Sequence, residues 1–165
     1  MIIMPEAGAP FRIESTEHTG ITVSSLDEAL SFWSGVMGFE HLYTWDFDDS
    51  SFLGELVGVK TAAARIAMVK GPGHLIELLE YRSPDDRRVL KPRSCDIGSV
   101  HVAFRVENLD ALLMRARATG WKAVSKVQTV ESGERTGLRL VYVRGPDGLT
   151  VEFLEYPKDL LAATP

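Results

Sequence analysis

The stretch Gly73-His-Leu-Ile-Glu77-Leu-Leu-Glu-Tyr81 occurs a second time as Gly148-Leu-Thr-Val-Glu152-Phe-Leu-Glu-Tyr156. Each copy follows another matching segment, which is Arg65-Ile-Ala-Met-Val-Lys-Gly-Pro72 in the first half and Arg139-Leu-Val-Tyr-Val-Arg-Gly-Pro146 in the second. A third match opens each half, because His18, Val23, Leu26 and Asp27 have the spacing of His101, Val106, Leu109 and Asp110. The repetition predicts two copies of one supersecondary unit.

Within each half, the apolar pattern predicts the order strand, helix, strand, strand, strand, and hence the α+β class with two tandem βαβββ modules. In the first half, Ser25 and Glu28 have the spacing of a capping box at a helix start, and Gly38 ends that helix. In the second half, Asn108 begins a helix that Gly120 ends, and a strand is predicted over 122–128. Residues 48–61 are predicted as a loop with one helical turn.

Polar segments that contain proline and glycine set the expected boundaries. They divide the chain into an N-terminal tail (1–12), a first module (13–82), a linker (83–99), a second module (100–156) and a C-terminal tail (157–165), with 13–156 forming one domain overall.

The composition excludes several classes of protein. The 165 residues suffice for a substantial core, and the net charge of −5 does not favour nucleic acid as a partner. No apolar run approaches a membrane span, and the N-terminus lacks the layout of a signal peptide. Cys95 is the single cysteine, so no internal disulfide forms. We therefore expect a cytoplasmic protein that binds neither membrane nor nucleic acid.

Each module carries a histidine near its start and a glutamate between apolar residues in its last strand, His18 and Glu77 in the first and His101 and Glu152 in the second. Strand alternation places each glutamate on the face opposite its apolar neighbours, where a buried carboxylate needs a partner. Packing of the two copies about a pseudo-twofold axis would bring these four side chains together. Imidazole and carboxylate together suit Zn, Fe, Co, Ni or Mn. The second glutamate of each strand, Glu80 or Glu155, is expected on the outer face or at the strand end.

An extended segment rich in aromatic residues is predicted over 39–47, and four of these aromatic residues fit either of two roles. They can line a substrate cavity or fill the core, and the pattern does not distinguish the two; they are Phe39, Tyr43, Trp45 and Phe47.

A family resemblance follows from five marks in the sequence: His18-Thr-Gly-Ile-Thr-Val, the helix ending in Gly38-Phe39, Ile76-Glu-Leu-Leu-Glu80, His101-Val-Ala-Phe, and Gly145-Pro-Asp-Gly148 followed by Val151-Glu152-Phe153. With these marks, residues 13–156 resemble the vicinal oxygen chelate superfamily. That group includes glyoxalase I, methylmalonyl-CoA epimerase, extradiol dioxygenases, fosfomycin-modifying enzymes and bleomycin resistance proteins.

The resemblance implies an open, cupped mixed sheet built from the two modules around a metal site. It implies one divalent metal ion per chain (Zn, Ni, Co, Mn or Fe), held by His18, Glu77, His101 and Glu152. We also expect a small-molecule substrate and a homodimer.

The presence of Glu77 distinguishes among the reactions of the superfamily. Extradiol dioxygenases resemble a triad of two histidines and one carboxylate, which would leave the position of Glu77 without a ligand. A fourth ligand favours the isomerase and lyase branch, in which the substrate presents vicinal oxygens, a proton is abstracted beside a carbonyl and the enediolate is stabilised. The resemblance to glyoxalase I makes Glu77 and Glu152 the acid–base candidates.

Three alternatives stay open at this stage. The first is an Fe(II)-dependent dioxygenase of the extradiol type, and the second is a non-catalytic drug-binding or antibiotic-resistance protein. The third is an antibiotic-modifying transferase, which needs a basic pocket that Arg135 and Arg139 would supply.

Overall fold

The computed structural model of the protein describes residues 11–48 and 51–158. The tails expected at 1–12 and 157–165 lie for the most part outside these residues. The first module contains β1 (His18–Thr22), α1 (Leu26–Leu30), a π-helical segment (Ser31–Val36), β2 (Glu40–Phe47), α2 (Ser51–Val57), β3 (Ala63–Gly71) and β4 (His74–Ser83). The second contains β5 (His101–Arg105), α3 (Leu109–Ala118), β6 (Lys122–Ala123), β7 (Gln128–Thr129), β8 (Arg139–Arg144) and β9 (Thr150–Glu155).

Each module folds into its own open, mixed sheet. The first sheet has the order β1-β4-β3-β2, and the second has the order β5-β9-β8-β6, with β7 paired to β8. In both sheets the first strand runs parallel to the last, and the other pairs are antiparallel. The predicted α+β class with two βαβββ modules is confirmed.

Side chains from the loops and strands cap the helix starts, as the sequence pattern indicated. Ser25 Oγ accepts a hydrogen bond from the Glu28 amide (3.3 Å), and Asn108 Oδ1 accepts one from the Ala111 amide (3.4 Å). Two repeated glutamates add a second cap that the pattern did not reveal. Glu80 Oε2 accepts from the Leu26 amide (2.7 Å), and Glu155 Oε1 accepts from the Leu109 amide (2.9 Å). Each carboxylate thus stabilises the positive end of its helix.

The first helix is not α-helical over its whole length, so its buried residues do not follow the regular α-helical spacing. After Leu30 it widens into a π-helical segment, in which the Met37 amide bonds the Phe32 carbonyl (2.9 Å). The extra residue in this wider turn shifts the buried face, so Phe32 and Trp33 both enter the core. Gly38 follows at φ 74°, a conformation that glycine adopts without steric cost.

The strand predicted over 122–128 is broken into β6 and β7. Ala123 pairs with Val143 and Gln128 pairs with Leu140, so five residue steps on one side face three on the other. Two residues are therefore surplus to the ladder and bulge out of it. A local hydrogen bond from Ser125 Oγ to the Lys126 carbonyl (3.0 Å) lies in this bulge.

One hydrophobic core joins the two modules through their helices. Phe32 stacks on Trp121 with ring centroids 3.7 Å apart, and Trp33 packs edge-on against Phe104. The Arg115 guanidinium donates to the Gly35 carbonyl (2.8 Å). This core includes the helix-facing side chains of both sheets, so the opposite face of each sheet points away from it.

The segment between β4 and β5 contains neither helix nor strand. It runs close to the β8–β9 turn, because a β-carbon built on Gly148 would lie 2.5 Å from the Leu90 carbonyl oxygen. In the part of the chain described, no helix is long and apolar enough to cross a membrane.

Candidate metal and active site

The first His/Glu pair lies on the open face of the first sheet, which we define as the face that bears Glu77. Because β1 runs parallel to β4 with Gly20 opposite Glu77, His18 and Glu77 share this face. His18 Nε2 lies 3.5 Å from Glu77 Oε2, and the two side chains are 35% and 21% exposed. Gly20 leaves room beside the carboxylate, since a β-carbon built there would lie 3.5 Å from Glu77 Oε2.

The second module repeats this arrangement on the open face of its own sheet, the face that bears Glu152. Ala103 lies opposite Glu152 in the parallel pairing of β5 with β9. His101 Nε2 lies 3.3 Å from Glu152 Oε2, and the side chains are 41% and 15% exposed. A small residue thus stands beside the glutamate in both copies, and the strand alternation predicted for both glutamates agrees with the structure.

The two pairs belong to different sheets and do not meet within one chain. Across residues 11–48 and 51–158, no three His, Cys, Asp or Glu side chains come close enough to hold one metal ion. The other two histidines lie elsewhere: His41 Nε2 is 2.9 Å from Thr44 Oγ1, and His74 Nε2 is 2.8 Å from Thr19 Oγ1. One chain therefore presents two separate His/Glu pairs.

Two tyrosines lie on the sheet faces that bear Glu77 and Glu152. Tyr142 lies opposite Glu152 in the β8–β9 pairing, and its hydroxyl is 3.5 Å from His101 Nε2. Met68 occupies the matching position opposite Glu77. Tyr142 was not among the predicted site residues. The sequence does contain a signal for it, because the second module has a polar tyrosine at the position where the first module has Met68.

Tyr81 is the second of these tyrosines and follows Glu77 on the same face of β4. Burial raises the pKa of its phenol above the ordinary value, and the negative charge of Glu77 raises this pKa further. The raised pKa extends the alkaline pH range over which this phenol stays protonated.

Arg139, one of the two arginines considered for a basic substrate pocket, forms structural hydrogen bonds instead. Arg139 Nη1 bonds Glu155 Oε2 (2.6 Å), and its Nη2 bonds both carboxylate oxygens of Asp110 (2.9 and 3.0 Å). These carboxylates raise the pKa of the guanidinium, with the Asp110 hydrogen bond as the largest cause. Arg139 thus joins β8 to the start of α3 on the face that bears Glu155, away from Glu152.

Comparison with known proteins identifies a matching family and a similar enzyme. Residues 15–153 match the family described as the Glyoxalase/Bleomycin resistance protein/Dioxygenase superfamily. A 2-epi-5-epi-valiolone epimerase from Actinomyces sp is 37% identical over 147 residues, which cover 87% of this chain and 80% of that protein.

Solved structures agree with this match. A glyoxalase family protein from Bacillus cereus is 27% identical, with a TM-score of 0.78 over 91% of this chain and 99% of its own. A fosfomycin resistance protein from Mesorhizobium loti is 15% identical, with a TM-score of 0.59 over 93% of this chain and 100% of its own, a likeness of fold alone. The chain belongs to the glyoxalase/bleomycin resistance protein/dioxygenase superfamily.

Proposed function

We propose that this protein is a divalent-metal-dependent isomerase that inverts a stereocentre beside a carbonyl group, and thus an epimerase. The observation that carries the proposal is the duplicated His/Glu pair, present once on the open face of each sheet. The 37% identity to a 2-epi-5-epi-valiolone epimerase supports the same reaction type. We further propose that the substrate is a hydroxylated cyclic ketone, the chemical class of the valiolones.

The chemistry of the four donors fits a divalent transition-metal ion. Histidine nitrogen and carboxylate oxygen bind such ions at about 2.0–2.2 Å, so two ligands of one ion lie roughly 3.0–3.5 Å apart. The N–O distances of 3.5 Å for His18 and Glu77 and 3.3 Å for His101 and Glu152 are compatible with that spacing. The donor set suits Zn, Ni, Co, Mn or Fe.

We propose that the four donors come together in a homodimer, between the first module of one copy and the second module of another. Two features support this assembly. In the described residues, β1 and β5 are end strands, each paired on one side only, and they carry His18 and His101. The core between the modules of one chain lies on the opposite faces from the His/Glu pairs, and α2 covers only the end of the first open face around Ala64 and Ile66. Unpaired edge strands favour such association, and a twofold dimer would form two equivalent sites.

The roles of the side chains follow from epimerisation. When bound, a divalent ion supplies Lewis acidity that weakens the C–H bond next to a carbonyl. Inversion requires that a proton leave one face of the carbon and return to the other, and two carboxylates in pseudo-symmetric positions suit this task. We assign Glu77 and Glu152 as the two proton carriers. Tyr142, whose hydroxyl is 3.5 Å from His101 Nε2, is the neighbouring hydroxyl group.

Isotope exchange tests the proposal. Incubation of 2-epi-5-epi-valiolone with the metal-loaded protein in D₂O should place deuterium at the inverted carbon, without consumption of O₂. Glu152→Gln should lower kcat by more than about a hundredfold, because it removes a positioned base. Metal content measured on the same sample separates loss of the base from loss of the ion. Activity that requires both Fe(II) and O₂ would contradict the proposal.

A further inference from the structure

Two aromatic side chains on β2 are exposed to solvent and stack on each other. Tyr43 and Trp45 have ring centroids 4.3 Å apart and an interplanar angle of 27°, and they are 38% and 49% exposed. Phe39 joins the main core, and Phe47 packs in the smaller cluster around Leu53. Of the four aromatic residues whose role the pattern left open, two are therefore core residues and two remain on the surface. We call Tyr43 and Trp45 the aromatic platform.

The strand register places the aromatic platform on the same face as Glu77. Tyr43 pairs with Met68, and Met68 pairs with Glu77, so these three side chains form one row across the sheet. Two strand spacings of about 4.8 Å separate the ends of that row, which gives a width of roughly 10 Å. Trp45 pairs with Ile66 in the next row. Met68, which is 5% exposed, lies between Tyr43 and Glu77, and Ile66, in the next row, packs in the cluster around Leu53.

This width and this lining favour a particular kind of ligand. Between the platform and β4, β3 presents Met68 and Ile66, which carry no charge, whereas Lys70 is the next residue along on the same face, opposite Leu75. The two rows that contain Tyr43 and Trp45 hold no cation. An aromatic ring has a negative face that attracts polarised C–H groups, and rings stack well on flat apolar surfaces. A six-membered ring would match this width, with its C–H face on the aromatic platform and its carbonyl side toward Glu77.

We propose that the aromatic platform is a stacking surface that selects the carbocyclic ring of the substrate. This proposal rests on the function proposed above and adds to it a determinant of substrate class, which is a cyclic rather than an open-chain ketone. Trp45 and Tyr43 position the ring without taking part in proton transfer, so their effect falls on KM and leaves kcat largely unchanged.

Tryptophan accessibility tests the platform without any need for turnover. The chain has three tryptophans, of which Trp33 and Trp121 are 1% and 6% exposed and Trp45 is 49% exposed. Acrylamide quenching therefore reports mainly on Trp45, and the Trp45→Phe variant gives the background. Binding of 2-epi-5-epi-valiolone should lower quenching of the wild-type protein toward that background, whereas dihydroxyacetone, an open-chain ketone, should not. Quenching that the cyclic ketone leaves unchanged at a concentration that saturates turnover would overturn the proposal.

Kinetic variants give the second readout. Trp45→Leu keeps an apolar side chain but removes the aromatic face, and should raise KM for the cyclic ketone by roughly fivefold to tenfold. Trp45→Phe should restore KM to within about twofold, since it keeps an aromatic face. Met114→Ala, at a 72% exposed position on α3, is the matched control and should leave KM unchanged. Equal KM values for Trp45→Leu and Trp45→Phe would contradict a stacking role.

The two proposals fail in distinguishable ways. Protection of Trp45 by the cyclic ketone without isotope exchange would retain the platform and reject the epimerase. Isotope exchange without protection of Trp45 would retain the epimerase and reject the platform. If neither occurs, both are rejected.

Discussion

The side chains of Glu77 and Glu80 belong to one strand, yet they lie on opposite faces of the first sheet. Glu77 faces His18 on the open side, whereas Glu80 accepts a hydrogen bond from the Leu26 amide at the start of α1. Glu152 and Glu155 repeat this division in the second module. The two glutamates of each strand thus contact different partners, and the three-residue spacing places them on opposite faces.

Alanine substitutions at these two glutamates should have different effects. Glu77→Ala should weaken binding of Zn²⁺ or Ni²⁺ by roughly tenfold or more, since even outer-shell changes cost that much. Glu80→Ala should leave metal affinity unchanged and lower the free energy of unfolding by about 1 kcal/mol, because it removes a helix cap. Calorimetric metal titration and urea unfolding of both variants measure the two quantities. Equal losses of metal affinity would show that the assigned faces are wrong.

At the level of the elements, each strand hairpin contains a glycine that an aromatic ring covers. The Phe39 ring lies over Gly71, and the Trp121 ring lies over Gly145, 2.8 Å from where a β-carbon would stand. Each ring belongs to the residue that follows a helix-ending glycine, Gly38 or Gly120. In both modules, therefore, the aromatic residue after the helix packs against the glycine of the hairpin.

Addition of a methyl group should disrupt this contact in both modules. Gly71→Ala and Gly145→Ala should each lower the free energy of unfolding by about 1–3 kcal/mol, because the ring has to move out of a packed core. Gly35→Ala is the matched control, since a β-carbon there meets nothing within 4 Å. It should be neutral or slightly stabilising, because alanine loses less backbone entropy than glycine in a helical segment. A control as unstable as Gly71→Ala would refute the packing explanation.

At the scale of the whole molecule, the proposed dimer makes a quantitative prediction about mixed subunits. His18→Ala damages only the first module of a copy, and His101→Ala damages only the second. In a mixed dimer, one intermolecular site would carry both changes and the other site would carry neither. Equal mixing of the two inactive variants, with refolding to exchange subunits, should therefore restore about a quarter of the wild-type activity.

The control for this mixing experiment is the double variant His18→Ala/His101→Ala mixed with either single variant. No intact site can form in that mixture, so no activity should return. Sedimentation of the wild-type protein should give the mass of a dimer. A monomer in solution, or inactive mixtures of correctly folded dimers, would contradict a site shared between two copies.

Much of the local arrangement was predictable because it depends on short-range periodicity. The internal repeat identified the two modules, and the period of two along β4 and β9 placed Glu77 and Glu152 opposite their apolar neighbours. The caps at Ser25 and Asn108 followed from residue type at a helix start. All of these features are set by interactions between residues close in sequence or related by strand pairing within one module.

Features that depend on contacts between distant segments emerged only in three dimensions. The π-helical segment buries Phe32 against Trp121 of the other module, a contact that no helical period within 26–36 indicates. Phe39 and Trp45 look alike in the sequence, yet one packs in the core and the other remains on the surface. The helix-to-helix packing of the modules also sends the two His/Glu pairs to different sheet faces. The sequence indicates which histidine and glutamate side chains share a face within each module, because strand periodicity is local. Packing between the modules decides whether the two His/Glu pairs come together.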